Sequence, residues 1–366
     1  MSRTQMQPVD FATQPLTTAT ALPARCYTGA GAAARDRRAI FAHSWQLVAH
    51  AAQLAGSGDH VVAEIAGVPL LIVRGADGVL RALHNVCRHR AGPLAVCDGR
   101  AAKRLRCRYH GWTYALDGRL LGAPDMQDAQ GFDVGAVRLP QALVATWQGL
   151  VFAALADAPP LAEVLDGIDA RTGAGAFDGY AFHQRIAYEI ACNWKVYVDN
   201  YLEGYHVPHI HPQLNRMLDY RSYVTELSRW HSLQWSPLES ADELYGRGDA
   251  LYYWIWPNTM LNILPGRLQT NRVLPLGVDR CRVEFDFHYP RDAGAGGRRA
   301  RDLAFSDVVQ NEDIGICEQV QRGLASGSYV GGRLNPLRES GVHHFHELLR
   351  AAYRGDRAAR ADAAPA

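Results

Sequence analysis

Two short clusters of cysteine and histidine constrain this chain more than any other feature. Cys87-x-His89 and Cys107-x-x-His110 each bring one thiol and one imidazole into a tight loop, with seventeen residues between them. Two cysteines and two histidines suit either zinc or a two-iron two-sulfur cluster in which histidines replace two of the cysteines on one iron. Zinc sites usually segregate the ligand types, Cys-x2–4-Cys in one half and His-x3–5-His in the other. Here each half carries one of each. Two such prongs can grip a cluster from opposite sides, with both cysteines on one iron and both histidines on the other, which is the Rieske arrangement.

The 366 residues allow two or three domains, and 38 basic against 37 acidic side chains give no global bias towards nucleic acid or anionic membrane. The N-terminus lacks the apolar run of a signal peptide, and no apolar run is long enough to span a bilayer. Cys87 and Cys107 aside, Cys26, Cys97, Cys192, Cys281 and Cys317 show no framework spacing, so reduced thiols in a cytoplasmic protein are expected.

From about His60 to Leu155 the chain reads as short strands with Ala66-Gly67, Asp77-Gly78 and Asp117-Gly118 turns, the texture of a small antiparallel β domain. After a Gly-rich linker at 171–179 come a helical segment from about Asn193, strands from about Tyr252 to Tyr289, and helices after about Asp302. In the last strand Arg282, Glu284, Asp286 and His288 alternate with Val283, Phe285, Phe287 and Tyr289, predicting one solvated and one core face. The stretch near residue 295 reads as a loop, and residues 354–366 as a loose tail.

A second constellation lies in 193–211. On a helical wheel Trp194, Val198, Tyr201 and Tyr205 form an apolar stripe, with Asp199, Glu203 and His206 clustered nearly opposite. Pro208 and Pro212 end the helix and leave His211 in the loop beyond it. A solvated helix face explains the polar residues equally well on the wheel alone. Three histidines within six residues beside two carboxylates favour a metal, and two histidines with one carboxylate describe the facial triad of non-haem ferrous oxygenases. On the segment 306–324 the apolar stripe is Val309, Ile316, Val320 and Leu324; Asp313 falls inside it, Glu312 at its margin and Glu318 outside. A carboxylate in a buried stripe is costly unless paired or metal-bound. His343, His344 and His346 sit in a helix of ordinary packing periodicity and read as surface groups or supports behind a site.

These segments together, Cys87-x-His89…Cys107-x-x-His110-Gly-Trp, Asn193-Trp-Lys…Asn-Tyr-Leu-Glu-Gly-Tyr-His-x4-His211, and Glu312-Asp313…Cys-Glu-x-Val-Gln-x-Gly-Leu, resemble the α subunit of Rieske non-haem iron oxygenases over about residues 24–350. The resemblance implies an α+β protein: an N-terminal segment 1–43 on the catalytic domain, a β-rich Rieske domain 44–156, a helix-grip catalytic domain 157–353 (an antiparallel sheet around a long helix), and a tail 354–366. It implies Cys87, His89, Cys107 and His110 as cluster ligands and His206, His211 and Asp313 as ligands of a mononuclear Fe(II); His209 does not match the family position. Asp199 and Glu203 stand as catalytic carboxylates, Glu203 bridging the two centres across a subunit boundary of a homotrimer. Glu203, where many ring-hydroxylating members have Asp, is similar to the branch acting on carnitine, choline and proline betaine. No Gly-x-Gly-x-x-Gly follows a strand, so an NAD(P)H-dependent reductase is the expected partner, with O2 and a small molecule as co-substrates. Tyr201, Trp254 and Trp256, with Tyr252 and Tyr253, are candidates for an aromatic box around a trimethylammonium group, although alternate aromatics also suit a sheet core. An aromatic-ring hydroxylase and a non-catalytic Rieske electron carrier are the alternatives; a carrier needs two irons per chain, the oxygenase three.

Overall fold

The computed structural model describes residues 11–155, 157–218, 220–238, 244–291 and 297–361. The expected loop near residue 295 and the end of the expected tail, 362–366, lie largely outside the described residues. The chain forms two compact units, Phe41–Leu161 with Ala174–Asp178, and Met1–Ile40 with Ala162–Gly173 and Gly179–Ala366. The Gly-rich stretch 171–179 is thus divided between them.

The smaller unit holds β1 (Gln46–His50), β2 (His60–Ile65), β3 (Val68–Arg74), β4 (Leu80–His84), β5 (Leu105–Arg106), β6 (Thr113–Tyr114), β7 (Leu120–Gly122), β8 (Gln141–Trp147) and β9 (Leu150–Ala154). They build an antiparallel sheet in the order β1-β9-β8-β4-β3-β2 and a small sheet β5-β6-β7. Tight turns close the hairpins: Ala66 and Gly67 take positive φ between β2 and β3, and Gly78 does so between β3 and β4. Leu71, Val73 and Leu83 from the large sheet share one core with Cys87, Cys107, Trp112 and Tyr114.

The larger unit wraps a seven-stranded antiparallel sheet around helices. Its strands are β10 (Tyr180–Ile190), β11 (Val224–Leu227), β12 (His231–Leu238), β13 (Gly248–Ile255), β14 (Thr259–Leu264), β15 (Arg267–Pro275) and β16 (Cys281–Pro290), in the order β10-β16-β15-β14-β13-β12-β11. The helices that matter are α1 (Ala32–Ala39), α2 (Trp194–Tyr201), α3 (Val207–Ile210), α4 (Gly297–Ala325) and α5 (Ser340–Ala361). Residues 354–361, read from sequence as a loose tail, continue α5 instead.

Strand β16 corrects the expectation of a solvated face. Glu284, Asp286 and His288 are buried like their apolar neighbours, because β10 and β15 flank the strand and supply arginines. Arg185 Nε donates to Asp286 Oδ1 at 2.6 Å, and Arg272 pairs with Glu284. Alternation reports the two faces of a strand; what covers the polar face depends on remote residues.

Helix α4 is held by its polar side. Asp302, Ser306, Gln310, Cys317, Gln321 and Leu324 are buried, at spacings of three, four and seven that trace one face. Val320, assigned to the buried stripe from sequence, is 45 % exposed, so the stripe was misplaced around the helix. The true inward face still includes position 313. Tyr197 of α2 donates to Gln310 Oε1 (2.7 Å), and the Asn193 amide donates to Gln321 Oε1 (2.9 Å).

A buried ion pair ties α1 to α2. Lys195 bonds Asp36, whose carboxylate also accepts from Trp194 Nε1 (2.8 Å) and Tyr353 Oη (2.6 Å), and both charges are almost wholly excluded from solvent. Removing one partner strands the other in an apolar setting. Lys195→Met should cost about 3–5 kcal/mol in denaturant unfolding; a cost below about 1 kcal/mol, the range of an exposed pair, would show that the charges are not jointly buried.

Candidate active site

The cluster loops have the same backbone hydrogen bonds. The Cys87 amide donates to Gly92 O (2.9 Å) and Ala91 N donates to Cys87 O (3.0 Å); the Cys107 amide donates to Trp112 O (2.9 Å) and Gly111 N to Cys107 O (3.0 Å). The fifth residue of each loop, Ala91 and Gly111, has positive φ. Each loop therefore folds its cysteine inward and leaves its histidine towards the surface. Cys87 and Cys107 are 3 % and 2 % exposed, whereas His89 is half-buried and His110 exposed. Tyr114 Oη accepts from the Arg88 amide (3.0 Å) and lies 3.3 Å from Cys87 Sγ. Trp112 stacks on His89 at 4.9 Å, and the His89 and His110 rings meet at 4.6 Å. His89 Nδ1 is buried with no hydrogen-bond partner among the described residues. Inner thiols, outer imidazoles and that orphaned nitrogen fit a cluster with sulfur ligands on one iron and nitrogen ligands on the other.

In the larger unit Asn193 caps α2, its side chain accepting from the Lys195 amide (3.0 Å). The helix stops at Tyr201 rather than running on to Pro208. Gly204 lies in the break, where a Cβ would come 2.7 Å from the Tyr223 ring. Tyr205, placed in the apolar stripe by the wheel, is consequently 45 % exposed. The single turn α3 then carries His206 at its N-cap and His211 at its C-cap, with Pro208 inside its first turn, where proline is tolerated.

Three ligand-type atoms converge there. His206 Nε2 and His211 Nε2 are 3.2 Å apart, and Asp313 Oδ1 lies 3.0 Å from the latter and 3.6 Å from the former. Carboxylates behind them fix both rings: Glu203 Oε1 is 2.6 Å from His206 Nδ1, and Glu312 Oε2 is 2.7 Å from His211 Nδ1. Each Nε2 is thereby turned inward. Asn200 Nδ2 donates to Asp313 Oδ1 (2.7 Å). Burial disfavours protonation of His211, but the adjacent Asp313 and Glu312 carboxylates outweigh it and raise its pKa. Two imidazoles, one carboxylate and an adjoining cavity fit a metal with open coordination positions.

That cavity, of about 120 Å³, is lined by Tyr201, Tyr223, Tyr252, Phe285 and Phe305 alongside the triad. Two expectations fail here. Trp254 and Trp256 do not line it; they pack against each other and Phe345 of α5, because that helix covers the end of β13 where they lie. Asp199 does not line it either: its carboxylate accepts from Tyr27 Oη (2.6 Å) and lies 2.9 Å from His346 Nε2. His346, read from sequence as a surface group or a support behind a site, is fully buried. Sequence reading assigned no role to Glu312; its adjacency to Asp313 was the available signal.

Two variants test this geometry. Glu312→Gln should weaken metal binding at the triad by about 10–100-fold, measured by iron titration of apoprotein, with the cluster spectrum unchanged. An alanine at Gly92 would place its Cβ 2.9 Å from Cys107 Sγ, whereas Gly122 faces open space. Gly92→Ala should therefore lower acid-labile sulfide content and Gly122→Ala should not; equal content in both would refute the crowded loop packing.

Comparison with known proteins agrees with the geometry. Residues 44–142 match the Rieske [2Fe-2S] domain and residues 177–355 the ring hydroxylating alpha subunit (catalytic domain). The chain is 35 % identical to the chloroplastic choline monooxygenase of Arabidopsis thaliana, covering 92 % of this chain and 83 % of that one. It is 31 % identical to the carnitine monooxygenase oxygenase subunit of Escherichia coli, covering 91 % and 94 %. A quaternary ammonium Rieske monooxygenase of solved structure superposes with a TM-score of 0.86 at 27 % identity, over 93 % of this chain and 99 % of that one. The chain belongs to the Rieske non-haem iron oxygenases, as a catalytic α subunit with a Rieske cluster and a mononuclear iron.

Proposed function

We propose that this oxygenase hydroxylates a quaternary ammonium compound, leading to N-demethylation or C–N cleavage. Cys87, His89, Cys107 and His110 hold the cluster in this reading, and His206, His211 and Asp313 hold the iron. The carrying observation is the cavity beside the triad, whose walls combine the rings of Tyr201, Tyr223, Tyr252, Phe285 and Phe305 with the carboxylates of Glu203 and Asp313. A trimethylammonium group is stabilised against such faces by about 0.5–2 kcal/mol per contact. The choline and carnitine monooxygenases among the relatives, and a solved relative in complex with L-carnitine, support the same reading.

The bound groups supply one-electron storage and O2 activation. The protein's part is to hold the alkyl group beside the triad, shield it with Tyr201, Tyr223 and Tyr252, and keep both ligand rings oriented through Glu203 and Glu312. Electrons come from a partner reductase using NAD(P)H. We place the protein in the cytoplasm, a compartment that keeps the five cysteines outside the cluster reduced, and assemble it as a homotrimer. Glu203 Oε1 positions His206, and in the trimer this carboxylate links that ring to a cluster histidine of a neighbouring subunit.

Trimethylammonium compounds should drive oxygen consumption with a surrogate reductase, with product mass showing loss of an N-alkyl group. Turnover of an aromatic acid without turnover of any quaternary amine would reverse the assignment. Glu203→Gln should retain three irons per chain yet slow cluster reoxidation by orders of magnitude in single-turnover stopped flow with substrate and O2, because the charged acceptor is gone. Near-normal reoxidation coupled to product would remove the bridging role.

A further inference from the structure

Three cysteines outside the cluster loops meet inside the larger unit. Cys192 Sγ lies 3.9 Å from Cys281 Sγ, and Cys317 also hydrogen-bonds Cys192. All three are buried. They come from the elements that frame the triad. Cys192 directly precedes Asn193, the cap of α2, and Cys281 opens β16. Cys317 lies on α4, about 6 Å along the axis from Asp313. A buried thiol by itself packs as a small hydrophobe. Two thiols gathered on a third sulfur can do more, because their protons stabilise its thiolate.

The neighbours sort the roles. Hydrogen bonds from Cys281 and Cys317 push the Cys192 thiol below its ordinary pKa against the effect of burial, and the same contacts push the two donors up. The Tyr197 amide, in the first turn of α2, adds a further bond to Cys192. Cys192 is therefore the sulfur that ionises, and the thiolate is the nucleophile. Cys317 is fixed on a helix held at both flanks: the Ala191 amide donates to Glu318 Oε1 (3.1 Å) and the Asn193 amide to Gln321 Oε1 (2.9 Å). Cys281 instead follows the turn 276–280 between β15 and β16, in which Leu276 is exposed. Of the two donors, Cys281 is the one placed to approach Cys192.

We propose that Cys192 and Cys281 form a site of oxidation by hydrogen peroxide, closing to a disulfide while Cys317 keeps its proton. The Cys192 sulfur attacks one peroxide oxygen and breaks the O–O bond; the other oxygen leaves as water, and Cys192 becomes a sulfenic acid. The Cys281 sulfur then displaces the sulfenic hydroxyl, which takes the Cys281 proton and leaves as a second water. Two thiols and one H2O2 give one disulfide and two waters, so the sulfurs lose the two electrons that peroxide gains. The sulfurs have to close from 3.9 Å to about 2.05 Å. Hydrogen peroxide is what two-electron reduction of O2 yields when no substrate is oxidised, so a unit that activates O2 is exposed to it. Burial selects the product. Peroxide is small enough to enter a packed interior and a glutathione-sized thiol is not, so the bond forms between neighbours.

The test gives full-length holoenzyme, freed of reductant, one equivalent of hydrogen peroxide per chain. The reaction is quenched with catalase, denatured in iodoacetamide and mapped by mass spectrometry without reduction. A peptide pair joining Cys192 to Cys281, two hydrogens lighter than its parts, should be at least about tenfold more abundant than any pair containing Cys26 or Cys97. Cys192→Ser should abolish it. Cys317→Ala should retain it but slow its formation about fivefold, the loss of one hydrogen bond to the thiolate. Oxidised glutathione at the same dose should modify the exposed Cys97 and leave Cys192 untouched. Circular dichroism and iron content confirm that each variant is folded and loaded. Absence of the Cys192–Cys281 pair, a dominant bond to Cys317 in its place, or glutathione on Cys192 overturns the proposal and leaves the three thiols as packing.

Discussion

Three lone-pair groups held within 3.6 Å of one another, His206 Nε2, His211 Nε2 and Asp313 Oδ1, are the constraint around which the larger unit is organised. Neutral imidazoles and a carboxylate do not gather this way for their own stability; their lone pairs repel unless a cation or shared protons intervene. What holds them is the layer behind: Glu203 on one ring, Glu312 on the other, Asn200 on Asp313. Those supports come from the break after α2 and from α4. The helix that stops early at Tyr201 is thus part of the site, because continuing it would carry Glu203 and His206 to different positions on its circumference.

The structure departs from the sequence reading where remote residues decide the outcome. The Cys87 and Cys107 loops were legible because their geometry is local: each closes its own hydrogen bonds within six residues. The histidine spacing around Pro208 was legible for the same reason. Asp313 was reached by a wheel that put Val320 inside and missed the polar inner face, so the right residue came from a stripe set at the wrong angle. An inward face made of Asp302, Ser306, Gln310 and Gln321 carries no hydrophobic signal; partners on other elements satisfy it, and those partners are invisible in a single helix's periodicity.

The aromatic residues make the same point from the other side. Tyr252 and Trp254 differ by two positions on one strand, so sequence assigns them to the same face. The structure gives Tyr252 to the cavity and Trp254 to the packing against Phe345. Where β13 is covered by α5 an aromatic becomes core, and where the sheet stands open over the triad it becomes wall. Asp199 bonds Tyr27 and His346 rather than the triad; the wheel drawn through residue 206 assumed a helix that Gly204 and the Tyr223 ring interrupt.

Helix α4 joins the two halves of the larger unit's chemistry. Asp313 faces the metal position, Gln310 lies one turn back along the cavity, and Asp302 anchors Arg267 two turns beyond that. Gln310 is therefore held in register with the ligand carboxylate through a rigid rod rather than through loops. Tyr197 and Asn200, one turn apart on α2, clamp the same two positions of α4, Gln310 and Asp313, by hydrogen bonds of 2.7 Å each. The spacing of Gln310 and Asp313 is then set by two packed helices, and a shift of either displaces both side chains together. Placing both on α4 makes the polar inner face of that helix necessary, although it is the feature least visible in the hydrophobic pattern of the chain.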